Sequence, residues 1–564
     1  MPSTRVGRAG GGCGGPGAGA GRSGRGPAGG GRPDGGNPGR RVGGGAGSLG
    51  QVSDEENPRD GGGPPPSPGS DPWERTDATE QMRVRLAKVE RLKAAGIEPY
   101  PVGYARTDTI AAVRSRHEEL PADTATGDRV GVTGRVMLYR TGGRLCFATI
   151  RDGTGEIQVM ISRDRVGDDA LSAWKSDVDL GDHIGVTGEV ITSRSGELSV
   201  LADSFAITAK SLRPLPDKHA GLNDPQSRVR MRYVDLLVNP VARQMAELRA
   251  SVTRAIREEL HAQGYIEAET PMLQTLYGGA NARPFITHIN AYDMRMYLRI
   301  ALELYLKRLM VGGLDKVYEL GRNLRNEGAD ATHNPEFTML EAYEAYGDYN
   351  SIGAMTRSLI VSAARAGLGG TIVRRDGSEH DIGGDWPSAT VHDAVSAALG
   401  EEVTPGTGED QLRKLAGQAG IAVEPSWNAG QVLLELYEHL VEARTVLPTF
   451  YRDFPVEVAP LTRQHRQDPR LAEKWDLVAF GAEIGTGYSE LVDPLEQRAR
   501  LTAQSLLAAG GDPEAMQLDE DFLRALEYGM PPSGGMGMGI DRVLIMLTGA
   551  SIRETILFPI VKPT

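Results

Sequence analysis

The sequence has little cysteine, no net positive charge and no long hydrophobic run. Two of its 564 residues are cysteines, Cys13 and Cys146, which is too few for a disulfide framework or a cysteine-rich zinc site. No uninterrupted apolar stretch approaches the roughly 18–20 residues of a membrane span, and the Arg- and Gly-rich start lacks the apolar segment of a signal peptide. These absences predict a cytoplasmic protein that makes no membrane contact.

The formal net charge is −13, which does not by itself indicate a nucleic-acid binder, although an acidic total can conceal a local basic face. The first fifty residues differ, with seven Arg against one Asp. They could form an arginine-glycine arm that binds RNA, or an unstructured or misassigned start, with translation beginning at Met82. The second interpretation is favoured because Met82 opens an amphipathic helix, residues 82–95, that ends at Gly96.

Glycine is spread very unevenly along the chain. Residues 1–75 hold 26 of the 73 Gly and 11 of the 34 Pro, with almost no large aliphatic side chains. Such a segment cannot bury enough apolar surface to offset the entropy lost on ordering. We therefore predict a disordered tail over residues 1–77, followed by a helical segment over residues 78–126.

Residues 127–215 have a hydrophobic period of two. Val130 and Val132 alternate with polar residues, as do Val136 and Leu138, and Gly-rich turns separate these runs. Five short strands of this kind fit a small closed barrel, of which the OB-fold is the commonest nucleic-acid-binding form. Phe147 could stack on a base, although a strand Phe more often belongs to a core.

From Pro240 the period becomes helical, with one apolar stripe that ends at Gly264. The rest of residues 216–564 mixes short strands and helices without the regular alternation of a doubly wound sheet. We therefore predict an α+β domain on an antiparallel sheet, with a Gly-rich insertion over residues 367–427.

The first cluster that could carry chemistry contains Arg325, Glu327, His333 and Phe337. We expect two strand-like pieces joined by a polar loop, with Arg325 and Glu327 on the same side of one strand because they are two residues apart. An arginine for phosphate, a carboxylate for a base amino group and a ring for stacking would suit a nucleotide. A surface salt bridge is the alternative for an Arg-x-Glu pair alone.

Two further clusters lie near the C-terminus. Residues 534–542 read as a Gly-rich strand that enters a helix carrying Arg542, an arrangement suited to a triphosphate. Asp476, Glu483 and Glu490 follow one another at intervals of seven, and carboxylates beside a phosphate site can hold Mg²⁺. Three unrelated surface acids are the alternative.

In this order, the helix and strand that end at Pro271 and the three clusters resemble motifs 1, 2 and 3 of class II aminoacyl-tRNA synthetases. With an OB-fold barrel ahead of them, the chain resembles the subclass of the lysine, aspartate and asparagine enzymes. Residues 278–288, 303–308 and 333–338 are close to lysyl-tRNA synthetases. The resemblance covers about residues 82–562 and implies a lysine–tRNA ligase.

The resemblance also implies how lysine is bound. The α-amino group would meet Glu303 and the Gly279 carbonyl, and the α-carboxylate would meet Arg325. The ε-ammonium would be received by Glu341, Tyr343 and Glu490. An aspartate enzyme must instead offer a cation to its substrate, because an unpaired buried charge is costly.

For ATP, the resemblance implies that Arg325 binds the α-phosphate and Arg542 the γ-phosphate. It also implies that Arg325, Glu327 and Arg542 are the catalytic residues. The remaining expectations follow the family motifs: Glu327 and Phe337 at adenine, His333 and Asn334 near the phosphates, and Asp476 with Glu483 on Mg²⁺, Glu483 also being an ATP contact.

In the barrel, the resemblance assigns Phe147 to stacking on an anticodon base of tRNA(Lys), with Arg140, Gln158 and Glu197 as hydrogen-bonding readers. Motif 1 implies a homodimer; an intramolecular packing helix is the alternative.

The chain departs from the family pattern at four positions. Leu324 stands where the family usually has Phe, and Leu302 where it usually has Pro. Asp476 and Thr486 replace a more frequent Glu and Asn, and both look like the synthetase part of lysyl-phosphatidylglycerol synthase fusions. The sequence shows no membrane half, so lipid lysylation is not expected. A divergent second-copy ligase, a paralogue that lysylates another acceptor and an inactive tRNA-binding regulator remain alternatives.

Overall fold

A computed structural model describes residues 79–216, 222–509 and 516–562. The predicted tail, residues 1–77, lies outside the described residues. Helix α1 (Glu80–Ala94) comes first, and the Thr79 side chain caps it by accepting a hydrogen bond from the Met82 amide. Helix α2 (Ile110–Arg116) then leads into the barrel.

The region with a hydrophobic period of two folds as a closed five-stranded barrel, as predicted. Its strands lie in the order β1-β2-β3-β5-β4, and helices α3 and α4 are inserted between β3 and β4. Their bounds are β1 Ala125–Arg140, β2 Leu145–Arg151, β3 Glu156–Ser162, α3 Arg163–Val166, α4 Asp168–Asp177, β4 His183–Thr192 and β5 Leu198–Ala209.

Alternate strand residues fill the barrel interior. Val132, Ile150 and Val200 are fully buried there, and Trp174 of α4 packs against the same core. The expected alternation fails at one point: Leu138 is exposed, because the pairing register of β1 with β2 shifts between Val136 and Leu138 and a bulge changes the face that a residue occupies.

Residues 222–509 and 516–562 form the second region, which is built on an eight-stranded sheet. Its helices are α5 Pro225–Arg230, α6 Arg232–Val238, α7 Pro240–Ala262, α8 Glu303–Val311, α9 Tyr349–Leu368, α10 Val391–Leu399, α11 Glu409–Ala419, α12 Ala429–Leu440, α13 Pro494–Ala509, α14 Glu520–Glu527, α15 Ile540–Thr548 and α16 Ile552–Thr555. Its strands are β6 Ile266–Glu267, β7 Leu273–Gln274, β8 Ile286–Ile289, β9 Met294–Leu298, β10 Lys316–Leu324, β11 Glu336–Ala345, β12 Ile372–Arg375, β13 Ser378–Asp381, β14 Ser388–Thr390, β15 Thr449–Pro455, β16 Leu471–Ala479, β17 Ala482–Ser489 and β18 Ser533–Gly539.

The large sheet has the order β14-β15-β16-β17-β18-β11-β10-β6. The strands from β15 to β10 pair antiparallel, and only the edge strands β14 and β6 pair parallel. The predicted α+β domain on an antiparallel sheet is therefore confirmed. Helices α7 and α9 share a core with the sheet, in which Val252, Leu359 and Met538 are fully buried.

The segment read as a weakly patterned insertion, residues 367–427, contains regular elements. It carries the β12–β13 hairpin, β14, α10 and α11. Val391 of α10 and Leu412 of α11 share a core with Leu436 of α12, which follows the segment, and with Phe454 of β15. This shared core stabilises α10 and α11.

Lys210, at the end of the barrel, is a buried cation whose partners hold this part of the chain together. Its Nζ lies 2.7 Å from Asp179 Oδ2 and 2.6 Å from Asp182 Oδ2, and the lysine and Asp182 side chains are fully buried. It also donates to the Asp177 carbonyl.

We expect Lys210→Met to lower the free energy of unfolding of the barrel by about 3–5 kcal/mol, because removing one partner leaves buried carboxylates uncompensated. Urea unfolding measures the loss. Arg83→Ala, which removes an exposed cation 3.8 Å from Glu80, is the control and should change stability by less than about 0.5 kcal/mol. Equal losses of stability from the two substitutions would contradict the view that the buried Lys210 ion pairs stabilise the barrel.

Candidate active site

Strand β18 lies in the middle of the sheet, and from Gly535 onward one of its faces has no side chains. Gly535, Gly537 and Gly539 alternate along it, while Met536 and Met538 point into the buried core on the other face. A Cβ added to Gly535 would lie 2.5 Å from the Tyr343 ring and closer still to Glu490 Oε1. The bare face therefore makes room for Tyr343 of the neighbouring strand β11 and for Glu490, which follows the end of β17.

One cavity of about 180 Å³ lies over the far end of this bare face. The Arg325 guanidinium lies 5.2 Å from the centre of the Phe337 ring, and Gly537 and Gly539 contribute backbone. All seven residues expected to bind ATP line it: Arg325, Glu327, His333, Asn334, Phe337, Glu483 and Arg542.

Arg325 and Glu327 do not share a strand face, so that expectation was wrong. Strand β10 ends at Leu324, opposite Glu336, because Pro335 has no N–H with which to continue the ladder. Arg325 lies in the loop, where its amide donates to the Pro335 carbonyl and its Nε to the Ile300 carbonyl. The loop, rather than strand alternation, brings both side chains to the cavity.

Arg542 enters the cavity from the first turn of α15. Its guanidinium donates to the Glu483 carbonyl at 2.6 Å. The neighbouring Asp541, which the sequence did not single out, accepts from the Thr338 amide and from Arg249 of α7 at 2.5 Å. These bonds fix α15 against β11 and α7 and so fix the position of Arg542.

A second cavity, of about 120 Å³, has Gly279, Glu303, Lys474 and Tyr488 among its lining residues. Gly279 has a φ of +86°, and a Cβ there would approach Glu303 Cβ to 3.2 Å. This position therefore favours glycine. The cavity contains two of the six residues expected to bind lysine, Gly279 and Glu303.

The other expected lysine contacts lie close to Glu303 or to the nucleotide cavity. Glu341 is buried; its Oε1 accepts from the Leu302 amide at 3.0 Å and its Oε2 from the Tyr343 hydroxyl at 3.1 Å. Burial, with the nearby Glu303 carboxylate, raises the pKa of Glu341 to about 8. Arg325 faces this carboxylate and acts in the opposite direction.

Lys307 is a member of this cluster that the sequence did not reveal. Its side chain is fully buried, with Nζ 2.6 Å from Glu303 Oε1 and 2.5 Å from Glu490 Oε2. Burial disfavours its charge, but the two carboxylates more than offset that and raise the pKa of Lys307. The available signal was its position four residues after Glu303, which is equally typical of an exposed helix pair.

Asp476 and Glu483 are placed by the antiparallel strands β16 and β17. Asp476 is buried, its Oδ2 lies 3.1 Å from Lys474 Nζ, and its Oδ1 has no hydrogen-bond partner among the described residues. Burial raises the pKa of Asp476, and Glu483 adds to that rise. In the part of the chain that the structure describes, no group of three His, Cys, Asp or Glu side chains is arranged to hold a metal ion. An unpaired carboxylate oxygen beside a second carboxylate nevertheless fits a hard divalent cation that takes its other ligands from phosphates and water.

The barrel carries an open groove of about 1340 Å³. Phe147 points into it rather than into the core, because β2 buries Cys146, Ala148 and Ile150 on its other face. All four residues expected to read an anticodon line this groove: Arg140, Phe147, Gln158 and Glu197.

Several large apolar side chains are exposed after α7. The small sheet β7-β9-β8 and the strand β6 carry them. They are Ile266, Met272, Leu273, Ile286, Tyr292 and Met294. None of the helices within the described ranges 79–216, 222–509 and 516–562 is long and apolar enough to span a membrane.

Comparison with known proteins gives two family matches. Residues 224–562 match the family of class II tRNA synthetases (D, K and N), and residues 110–208 match the OB-fold nucleic acid binding domain. Among curated relatives, the lysine–tRNA ligase of Kineococcus radiotolerans is 56% identical over 490 residues, which cover 86% of this chain and 98% of the relative. Lysine–tRNA ligase 1 of Mycobacterium tuberculosis (strain H37Rv) is 56% identical over 495 residues, with the same shares. The lysylphosphatidylglycerol biosynthesis bifunctional protein LysX of Nocardia farcinica is 55% identical over 489 residues, which cover 86% of this chain and 43% of that protein.

We expect Gly535→Ala to lower the free energy of unfolding by about 1–3 kcal/mol, because the added methyl group must displace Glu490 or the Tyr343 ring in a packed region. Urea unfolding measures this. Gly417→Ala in α11, where a Cβ meets no atom within 4 Å, is the matched control and should be neutral or slightly stabilising. A neutral Gly535→Ala would show that the bare face is not a packing requirement.

Proposed function

The chain belongs to the class II tRNA synthetases of the D, K and N group, and we propose that it is the lysine-specific member, activating L-lysine with ATP and transferring it to the 3′ end of tRNA(Lys). The observation that carries this proposal is the set of three buried carboxylates, Glu303, Glu341 and Glu490. Such a set suits an amino acid that carries an ammonium group on its side chain as well as its α-ammonium group. An aspartate side chain would be repelled there, and an asparagine side chain has no charge to offset the buried carboxylates.

Lysine enters the second cavity with its α-amino group toward Glu303 and the Gly279 carbonyl, and its carboxylate toward Arg325. Its ε-ammonium reaches Glu341, Tyr343 and Glu490. Glu490 Oε1 supports this role, because it is a buried carboxylate oxygen with no hydrogen-bond partner within the described chain.

ATP occupies the neighbouring cavity. Arg325 contacts the α-phosphate and Phe337 stacks on adenine. The Glu327 carboxylate accepts a hydrogen bond from the adenine amino group. His333 and Asn334 lie near the phosphates, and Arg542 contacts the γ-phosphate. Arg325 lines the nucleotide cavity and interacts electrostatically with Glu341 of the lysine-binding set, and in this position it would bring the lysine carboxylate and the α-phosphorus together.

Activation needs no general base, since the lysine carboxylate is already ionised at neutral pH. One carboxylate oxygen attacks the α-phosphorus in line, and the bond from that phosphorus to the bridging oxygen breaks to release pyrophosphate. Arg325 offsets the negative charge on the phosphoryl oxygens. In the second step a terminal ribose hydroxyl of the tRNA attacks the lysyl carbonyl, and AMP leaves.

Mg²⁺ fits the pair Asp476 and Glu483. The family uses ATP with Mg²⁺, and when bound there the cation would help to neutralise the phosphate charge. Burial raises the pKa of Asp476 and the Glu483 carboxylate adds to that rise, which a bound cation would reverse.

The barrel groove binds the anticodon of tRNA(Lys), with Phe147 stacking and Arg140, Gln158 and Glu197 as readers. Its aromatic ring, its basic and acidic side chains and its open shape support this proposal. The exposed apolar residues of β6 to β9 support a homodimer formed through this region. Charging tRNA for translation would take place in the cytoplasm.

The proposed activity is tested by ATP–pyrophosphate exchange with lysine, aspartate and asparagine in parallel, followed by aminoacylation of total tRNA. We expect exchange with lysine alone. Exchange that stays at background with lysine, or that is driven by aspartate, would sink the proposal.

In the same assay Arg325→Ala should lower lysine-dependent exchange about 100-fold or more, because a preorganised donor to the reacting phosphate is lost, while tRNA binding survives. Arg322→Ala is the matched control, since Arg322 lies on β10 beside Glu336 and does not line the cavity.

Phe147→Ala should raise the KM for tRNA about 5- to 150-fold, because stacking on an aromatic ring contributes roughly 1–3 kcal/mol per base. Steady-state aminoacylation measures this. Lysine-dependent exchange without tRNA should be unchanged, and a fall in that exchange would point to misfolding instead of lost stacking.

A further inference from the structure

We propose that Lys307 is a positioning residue for lysine recognition: its ammonium group pairs with one oxygen of Glu303 and one of Glu490 and so leaves Glu490 Oε1 ionised and free for the substrate. This inference rests on the proposed function, because it concerns the same pocket. It adds a residue that the family resemblance did not assign.

The geometry fixes Lys307 in one place. It lies on α8 one turn after Glu303, and its Nζ bridges Glu303 Oε1 at 2.6 Å and Glu490 Oε2 at 2.5 Å. Glu490 follows the end of β17, so the bridge joins the helix to the sheet. Leu306, beside it, is fully buried in the core between α8 and α14, which keeps this part of the helix in position.

The two oxygens of Glu490 have different surroundings. Oε2 lies 2.5 Å from Lys307 Nζ and forms an ion pair with it, and neither oxygen accepts a hydrogen bond within the described ranges. Oε1 lies against Gly535, where a Cβ would overlap it. A buried carboxylate oxygen that is left unpaired is costly, and an incoming ammonium group would remove that cost.

The charges balance only when Lys307 is counted. The pocket contains three buried carboxylates, Glu303, Glu341 and Glu490, and one buried ammonium, Lys307. Substrate lysine brings two ammonium groups, so that three ammonium groups meet three carboxyl groups; the substrate's charge would lower the raised pKa of Glu341 and favour its ionised form, and the substrate carboxylate meets Arg325. Without Lys307 one carboxylate would stay uncompensated in a buried site, and binding a proton would be the cheapest way to neutralise it.

The groups that face Glu490 determine its pKa and therefore whether it is protonated at neutral pH. They are Lys307 and Glu303 on α8 and Tyr343 on β11, with Glu341 beside Tyr343. Burial raises the pKa of Glu490, Lys307 opposes that rise and Glu303 adds to it, and the net pKa is about 7. Removing Lys307 therefore raises the pKa above 7, so at neutral pH the carboxyl group becomes protonated and cannot pair with an ammonium group.

The test uses the full chain and ATP–pyrophosphate exchange without tRNA, measured from pH 6 to pH 9 for the wild type, Lys307→Met and Lys307→Arg. We expect Lys307→Met to raise the KM for lysine at pH 7 roughly 30-fold or more, to leave the KM for ATP within about twofold, and to recover as the pH rises. Lys307→Arg should restore the pH profile, because it retains the positive charge.

Lys210→Met is the matched control, since it also removes a fully buried lysine between two carboxylates, but in the barrel. It should leave the KM for lysine and its pH profile unchanged. If Lys307→Met does not fold at the assay temperature, Lys307→Gln takes its place, because it removes the charge while keeping a hydrogen-bond donor.

The outcomes separate this inference from the proposed function. A wild-type chain without lysine-dependent exchange would overturn both. A wild type that is active with lysine, together with a Lys307→Met variant whose KM for lysine is unchanged or rises equally at every pH, would overturn the role of Lys307 alone. An equal rise in the KM for ATP would do the same, because it would indicate general distortion.

Discussion

The bare face of β18 is the constraint on which the rest of the site depends. A strand in the middle of a sheet ordinarily fills both faces with side chains, and here one face has none over Gly535, Gly537 and Gly539. The space goes to side chains of the flanking strands, such as Tyr343 of β11, and to the nucleotide cavity. The opposite face, with Met536 and Met538, still anchors the strand in the core. One strand thus packs the core with one face and leaves space for the site on the other.

Charged side chains occupy the space over this bare face, and because they are buried their charges must be balanced. Three acidic side chains of the site have a cation nearby: Glu303 and Glu490 have Lys307, and Asp476 has Lys474. Glu341 is offset less directly, by a backbone amide and the field of Arg325. The site is therefore a network of partly compensated anions, and the substrate and the metal ion are the cations that complete it.

The sequence predicts best where the signal is local. The barrel follows from a hydrophobic period of two, and the glycine spacing of residues 534–539 announces a strand that enters a helix. The prediction that Arg325 and Glu327 share a strand face failed because the end of β10 is set by Pro335, which directly precedes the partner strand β11. Lys307 was missed for a related reason. A Glu and a Lys four residues apart look alike on an exposed and a buried helix, and only tertiary packing distinguishes the two cases.

Three of the four departures from the family pattern, Leu302, Leu324 and Thr486, lie around the substrate-binding side chains, whereas the fourth, Asp476, is itself proposed to hold Mg²⁺. Leu302 stands where proline is usual, and its amide donates to Glu341 Oε1 at 3.0 Å, a bond that proline cannot make. Leu324 closes the ladder of β10, and its amide donates to the Arg299 carbonyl. Thr486 donates to the Trp475 carbonyl at 3.2 Å, next to Asp476. Because a hydrogen bond to a carboxylate favours its charged form, the Leu302 amide helps to keep Glu341 ionised against the effect of burial. Substitution at these positions therefore changes how the buried charges are held, while the set of groups that meets the substrate stays the same.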